Sequence, residues 1–229
     1  MSSSDFSGHR PIKSFVLRQG RTTPAQKHAL ETLWPAYGLS EHAELDLASV
    51  FPKASSIILE IGFGNGESLA QMAAAAPDYN FLGVEVHKPG VGHLLQRIHQ
   101  LGLQNVRVYC ADAVEILKHR IPDHSLSGIQ IFFPDPWHKK RHHKRRLINP
   151  EFVRLAARKL CSGGFLHAAT DWEDYAKQML EVLEDCELFV NAAGRQQYSD
   201  RPGLRPITKF ENRGQKLGHA VWDLIFSKV

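Results

Sequence analysis

The stretch Ser-Ile-Ile-Leu-Glu-Ile-Gly-Phe-Gly-Asn-Gly, residues 56–66, decides the fold. Its first six residues form a short apolar run that ends in closely spaced glycines. This reads as a buried strand entering a tight turn, because glycine lets the backbone turn sharply and approach a ligand closely. Leu69, Met72, Ala73 and Ala76 then fall on one helical face. The alternation continues with strands over 81–86, 106–110, 129–133 and 165–169, and helices over 91–101, 149–160 and 172–185. Asn149-Pro150-Glu151 caps the second of these helices, and Ser162-Gly-Gly is expected to stop it. Two closing strands, 187–190 and 220–226, have no helix between them. The expectation is an α/β, Rossmann-like sheet, mostly parallel with an antiparallel last strand and helices on both faces. In such a sheet ligands bind beyond the carboxyl ends of the strands.

Working toward the N-terminus, Thr23 with Pro24 and Gln26 forms a capping box that starts a helix reaching about Trp34-Pro35. Residues 1–22 are polar and basic and read as a flexible arm, leaving 23–229 as one domain. The 229 residues are 43% hydrophobic, enough for a sizeable core. Cys110, Cys161 and Cys186 lack Cys-x-x-Cys spacing and read as reduced thiols. There is no signal-peptide pattern and no run near the ~18 apolar residues of a membrane span, so a cytoplasmic protein is expected.

Charge is segregated along the chain. Residues 138–146 read His-Lys-Lys-Arg-His-His-Lys-Arg-Arg; without this run the net charge of +4 becomes −2. Residues 6–30 carry Arg10, Lys13, Arg18, Arg21 and Lys27 and no acid. Positive charge gathered in this way points to a polyanion such as nucleic acid. His138 and His142 have metal-compatible spacing, but the surrounding cations would repel a divalent ion, so no metal site is expected.

Acids mark the strand ends. Glu60 leads into the Gly62, Gly64, Gly66 turn and Glu67 follows it. Carboxylates flanking a glycine turn suit a cationic ligand better than a pyrophosphate, and S-adenosylmethionine carries a sulfonium and an ammonium. Glu85, nineteen residues beyond Gly66, is placed to accept ribose hydroxyls, and Asp112 to accept from an adenine amino group. Strand four ends Phe133-Pro134-Asp135-Pro136-Trp137, where the prolines orient Asp135. Trp137 is read either as a base-stacking platform or as core. Asp171 and Glu211 are candidate readers of guanine, whose N1–H and 2-amino group are adjacent donors; the alternative for each is a helix cap or a surface acid.

These residues resemble the bacterial tRNA (guanine-N7-)-methyltransferases, a family with the class I S-adenosylmethionine-dependent fold. The matching elements are Glu-Ile-Gly-Phe-Gly-Asn-Gly (60–66), Gly-Val-Glu-Val (83–86), Ala-Asp-Ala (111–113), Phe-Phe-Pro-Asp-Pro-Trp and its basic block (132–146), Thr-Asp-Trp (170–172) and Thr-Lys-Phe-Glu (208–211). The resemblance implies that Glu60, Glu85, Asp112 and Asp135 serve the cofactor, with Asp135 catalytic. It implies that Lys139, Asp171, Thr208, Lys209, Phe210 and Glu211 contact the substrate. It also implies that Arg141, His142, His143, Lys144, Arg145 and Arg146 meet RNA, and that the target is guanosine 46 in the variable loop of tRNA. Family members are monomers or dimers. Competing readings are another RNA methyltransferase on this fold, a nucleotide-linked oxidoreductase, which Glu67 in place of the third fingerprint glycine disfavours, and a non-catalytic RNA-binding module.

Overall fold

The computed structural model describes residues 13–16, 20–42, 45–203, 205–206, 211 and 220–229. In chain order the elements are α1 (Pro24–Thr32), α2 (Trp34–Tyr37), α3 (Leu47–Val50), β1 (Ile57–Ile61), α4 (Glu67–Ala75), β2 (Asn80–Val84), α5 (Lys88–Leu101), β3 (Val106–Tyr109), α6 (Ala113–His119) and β4 (Leu126–Phe132). A 3-10 helix (Lys140–Arg145) follows, then α7 (Pro150–Lys159), β5 (Leu160–Thr170), α8 (Glu173–Glu184), β6 (Phe189–Asn191) and β7 (Trp222–Lys228).

The seven strands lie in the order β3-β2-β1-β4-β5-β7-β6. Contacts among β1 to β5 are parallel, and β7 pairs antiparallel with both β5 and β6. The chain therefore builds outward from β1 to β3, then returns to the other side of β1 with β4. A crevice opens at that switch, beyond the ends of β1 and β4.

All five residues of β1 are buried. Leu59 and Ile61 belong to the core on one face, with α6, α7 and α8; Ile58 belongs to the core on the other, with α1, α4 and α5. Strand alternation therefore turns Glu60 toward the α4–α5 face, where it sits as a buried acid one residue before the strand's end. The N-termini of α1, α6 and α7 are satisfied from nearby side chains. The capping box at Thr23 is present, and Asn149 accepts from the amides of Glu151 and Phe152, each cap contributing on the order of 1 kcal/mol. Among the described residues no helix is long and apolar enough to cross a membrane.

One local expectation needs correction, and two features go beyond the sequence reading. The helix of 149–160 is not stopped by Ser162-Gly-Gly: Leu160 is already extended, fully buried and paired with Leu126, and the glycines form an irregularity inside β5, between the Leu126 and Gly128 pairings. A helix unforeseen in the sequence, α6, starts at Asp112, whose side chain accepts from the amide of Val114. Within the basic run, residues 140–145 wind into the 3-10 helix.

Candidate active site

The tips of β1, β2, β3 and β4 surround two adjoining cavities of about 430 and about 500 Å³. Gly62, Gly64, His87, Phe132 and Phe133 line both. The glycine turn is built for this place. Gly66 has φ 75°, and a Cβ there would lie 2.6 Å from that of Leu94 in α5. A Cβ on Gly90 would come within 2.0 Å of the carbonyl oxygen of Gly64, so α5 rests directly on the turn. At Gly62 and Gly64 an added Cβ would meet nothing within 4 Å, because it would project into open space.

The acids are held in different ways. Glu60 lines the second cavity at 3% exposure, and among the described residues its Oε2 has no hydrogen-bond partner. Burial pushes its carboxyl up to about 8, and the neighbouring charge of Glu85 adds to the shift. Such a group demands a donor or a cation from whatever fills the cavity. Glu85 is satisfied by backbone: Oε1 accepts from the amides of Val86 (2.7 Å) and His87 (3.0 Å), and Oε2 from the amide of Gly64 (2.9 Å). This ties the glycine turn to the tip of β2. Glu67, expected to share the cationic ligand, is instead paired with Arg97 at 3.1 Å and accepts from Gln71. Burial alone would raise its carboxyl, but the hydrogen bonds from Gln71 and Arg97 and the nearby positive charge together hold it below the usual range.

Asp135 is exposed at the mouth of the first cavity. It sits between Pro134 and Pro136, and Phe133 (φ 53°) and Trp137 (φ 49°) on either side are in the left-handed region. Non-glycine residues held there store on the order of 1–3 kcal/mol each and tend to gather at functional sites. Asp171 follows β5, the neighbour of β4, and lines a separate cleft with Trp172, Lys177 and Trp222.

Burial divides the basic block. Lys139, Lys140, Arg141 and Lys144 are exposed. Arg146, expected among the RNA-facing cations, is turned inward at 2% exposure: it donates to the Pro136 carbonyl, to Gln178 and to Asp174, over the ring of Tyr175. Its bond to Asp174 holds that carboxyl below its ordinary range. Arg145 stacks on Trp137 at 3.9 Å and donates to the carbonyls of Lys13 and Phe15. The Trp137 indole N–H donates to the carbonyl of Ser14, and His142 packs edge-on against the same ring. Residues 13–16, in the stretch expected to be a flexible arm, are thus held against the block, and Ser14, Phe15 and Val16 wall the first cavity. Burial, and then the cations around it, lowers the pKa of His142. His143 lies 3.8 Å from Asp174. Among the described residues no group of three or more His, Cys, Asp or Glu is arranged to hold a metal ion.

Thr208, Lys209, Phe210 and Arg18 lie outside the described residues. Glu211 is 1% exposed, and Arg205 and Arg201 engage its carboxylate. The sequence reading missed Arg205, His167 and Asp223, all buried behind the tip of β4. A signal was available, since His167 and Asp223 interrupt the apolar runs of two strands.

A family profile described as "Putative methyltransferase" matches residues 54–224. A tRNA (guanine-N(7)-)-methyltransferase of Methylococcus capsulatus is 59% identical over 219 residues, covering 96% of this chain and 95% of that protein. A protein of the same name from Alcanivorax borkumensis is 58% identical, covering 96% and 92%. Among solved structures, the 16S rRNA methyltransferase KamB superposes with a TM-score of 0.60 at 16% identity, over 81% of this chain and 95% of that one. A SAM-dependent methyltransferase from Aquifex aeolicus gives 0.52 at 15%, over 77% and 84%. These two structures speak to the fold: a class I methyltransferase sheet.

Proposed function

The chain belongs to the tRNA (guanine-N(7)-)-methyltransferase family, and on that premise we propose that it transfers the methyl group of S-adenosylmethionine to N7 of a guanosine in tRNA, at position 46 of the variable loop. The observation that carries this reading is a buried carboxyl, Glu60, with one oxygen lacking a hydrogen bond among the described residues, at the wall of a cavity beside the glycine turn.

The residues fit the cofactor. Glu60 meets its ammonium, Glu85 its ribose hydroxyls and Asp112 its adenine amino group, while Gly62 and Gly64 leave room for its chain. When bound, S-adenosylmethionine supplies an electrophilic methyl group on a sulfonium. Guanine N7 offers an in-plane lone pair and no proton, so this chain needs no general base. Its task is positioning and electrostatics. Asp135, stiffened by its prolines, stabilises the positive charge that develops on the purine. Lys139 and Asp171, together with the 208–210 segment, hold the target nucleotide. Lys140, Arg141 and Lys144 take phosphates, which position the RNA without reading its sequence. A tRNA substrate places this work in the cytoplasm.

The test is to incubate the protein with methyl-labelled S-adenosylmethionine and two unmodified transcripts, one with guanosine and one with adenosine at position 46. Label recovered as 7-methylguanosine from the first alone is the expected result. Label in another nucleoside moves the assignment to a different RNA methyltransferase, and no label from either moves it to a binding module.

A further inference from the structure

Ser14, Phe15 and Val16 wall the first cavity, together with Glu85 beyond β2 and Asp112 beyond β3. The second cavity, whose wall holds Glu60, has none of the three in its lining. The first cavity is thus closed partly by the sheet and partly by a short piece of chain far from it in sequence.

That piece is held by its backbone. The three successive carbonyls of Lys13, Ser14 and Phe15 each accept a hydrogen bond from the block after β4. The Trp137 indole N–H donates to Ser14 at 3.1 Å, and Arg145 donates through Nε to Lys13 at 3.0 Å and through Nη2 to Phe15 at 3.1 Å. Arg145 also lies over the Trp137 ring at 3.9 Å, and His142 meets that ring edge-on at 5.9 Å. Bonds from a guanidinium are the stronger kind, and a cation over an indole adds to them. Trp137 therefore serves neither as an open stacking platform nor as core: one face carries a guanidinium and its N–H holds main chain. It stands two residues after Asp135, which lines the same cavity. The clamp joins the cavity wall, the Asp135 turn and the last residue of the 3-10 helix.

Because the clamp grips carbonyls, it does not use the side chains of Phe15 and Val16. Phe15 is half-buried and Val16 is 48% exposed. Apolar side chains left partly in water at a cavity wall favour a ligand with a flat apolar face, and adenine has one. We infer that Ser14–Val16 is a strap over the adenosine half of S-adenosylmethionine, that Phe15 and Val16 are further cofactor-binding residues, and that Trp137 and Arg145 are positioning residues that clamp the strap. This rests on the placement of the ribose at Glu85 and the adenine at Asp112 proposed above. A wall already in place lowers the ordering cost of binding and slows escape of the bound molecule.

The experiment uses the full chain without tRNA. Calorimetry gives the dissociation constant and stopped flow the dissociation rate, for S-adenosylmethionine and for methylthioadenosine, which keeps the adenosine and lacks the amino-acid end. Trp137→Phe keeps a ring beneath Arg145 and loses the N–H; it should weaken both ligands about fivefold, the scale of one hydrogen bond. Arg145→Gln should weaken both about tenfold or more, because two charge-assisted bonds go. Phe15→Ala should weaken both about tenfold, the scale of a buried apolar side chain. The losses should appear chiefly as faster dissociation. Glu60→Gln, by contrast, should weaken S-adenosylmethionine and leave methylthioadenosine alone.

Phe15 lies outside the buried core, so its variant decides the matter even if a clamp variant folds poorly. Both affinities within twofold of wild type for Phe15→Ala overturn the proposal. So does a loss confined to S-adenosylmethionine, which puts the strap on the amino-acid end. Clamp variants that bind both ligands normally but bind tRNA weakly make Trp137 and Arg145 RNA contacts alone. A wild-type protein that binds both ligands yet forms no 7-methylguanosine defeats the methyl-transfer reading, and the same affinities still decide the strap.

Discussion

The acids at the tips of β1 to β3 line two adjoining cavities, the cations of residues 139–146 follow Asp135 in sequence, and the two groups are held by different means. Among the described residues Glu60 is buried with one oxygen lacking a hydrogen bond, Glu85 is fixed by three backbone amides, and Asp112 caps α6. The cations lie in one continuous run, yet Lys139, Lys140, Arg141 and Lys144 face solvent while Arg145 and Arg146 bind the protein itself. Burial decides which charges act through geometry and which through the long-range, salt-screened field that RNA feels.

The largest effect is expected on the acidic side. Asp135→Ala should lower kcat by more than ~100-fold, the scale of a lost electrostatic contact at a developing charge, and leave the melting temperature in place because the side chain is exposed. Single-turnover kinetics and a thermal melt check both halves of that statement. Next comes Arg146→Ala, which should cost about 2–3 kcal/mol in chemical denaturation, because it strips a buried guanidinium from its partners. The same change at Lys144 should stay within about 0.5 kcal/mol. Equal losses at the two positions would erase the division of the basic block.

Proton linkage separates the acids further. In the free protein Glu60 holds its proton up to about pH 8, far above an ordinary carboxyl. A cation beside it favours the carboxylate, so cofactor binding below that pH releases a proton. Affinity for S-adenosylmethionine should therefore rise from pH 6 toward 8, by at most about tenfold per unit, and then level. Calorimetry in two buffers of different ionisation enthalpy reads the released proton, and Glu60→Gln should abolish both it and the slope. Turnover at saturating cofactor should stay nearly flat from about pH 7 to 9, because N7 carries no proton to remove. A steep single-group rise there would mean that a base takes part.

Much of this was legible in the chain. Apolar runs followed by acids or glycine placed β1, β2 and β3, since a strand buried on both faces is largely apolar and polar residues gather near its tip; Arg107 inside β3 is an exception. The Thr23 and Asn149 caps were readable because capping is local chemistry. What escaped depended on tertiary partners. Nothing near Glu67 announces Arg97, thirty residues away. Nothing in the run of cations says that Arg146 will meet Gln178 and Asp174. The β5 irregularity at Ser162-Gly-Gly resembles a helix stop, because glycine serves both purposes.

The most direct test of the division between buried acid and exposed cation is a crossed titration: cofactor affinity and the salt dependence of tRNA affinity, each measured for Glu60→Gln and for the double change Arg141→Gln with Lys144→Gln. The account predicts that Glu60→Gln weakens the cofactor about tenfold or more, the scale of a hydrogen bond to a charged group, and leaves the salt slope alone. The double change should reduce that slope by about 2, one per phosphate contact, and leave cofactor affinity alone. If either variant moves both quantities together, the two regions are one electrostatic unit and the account is wrong.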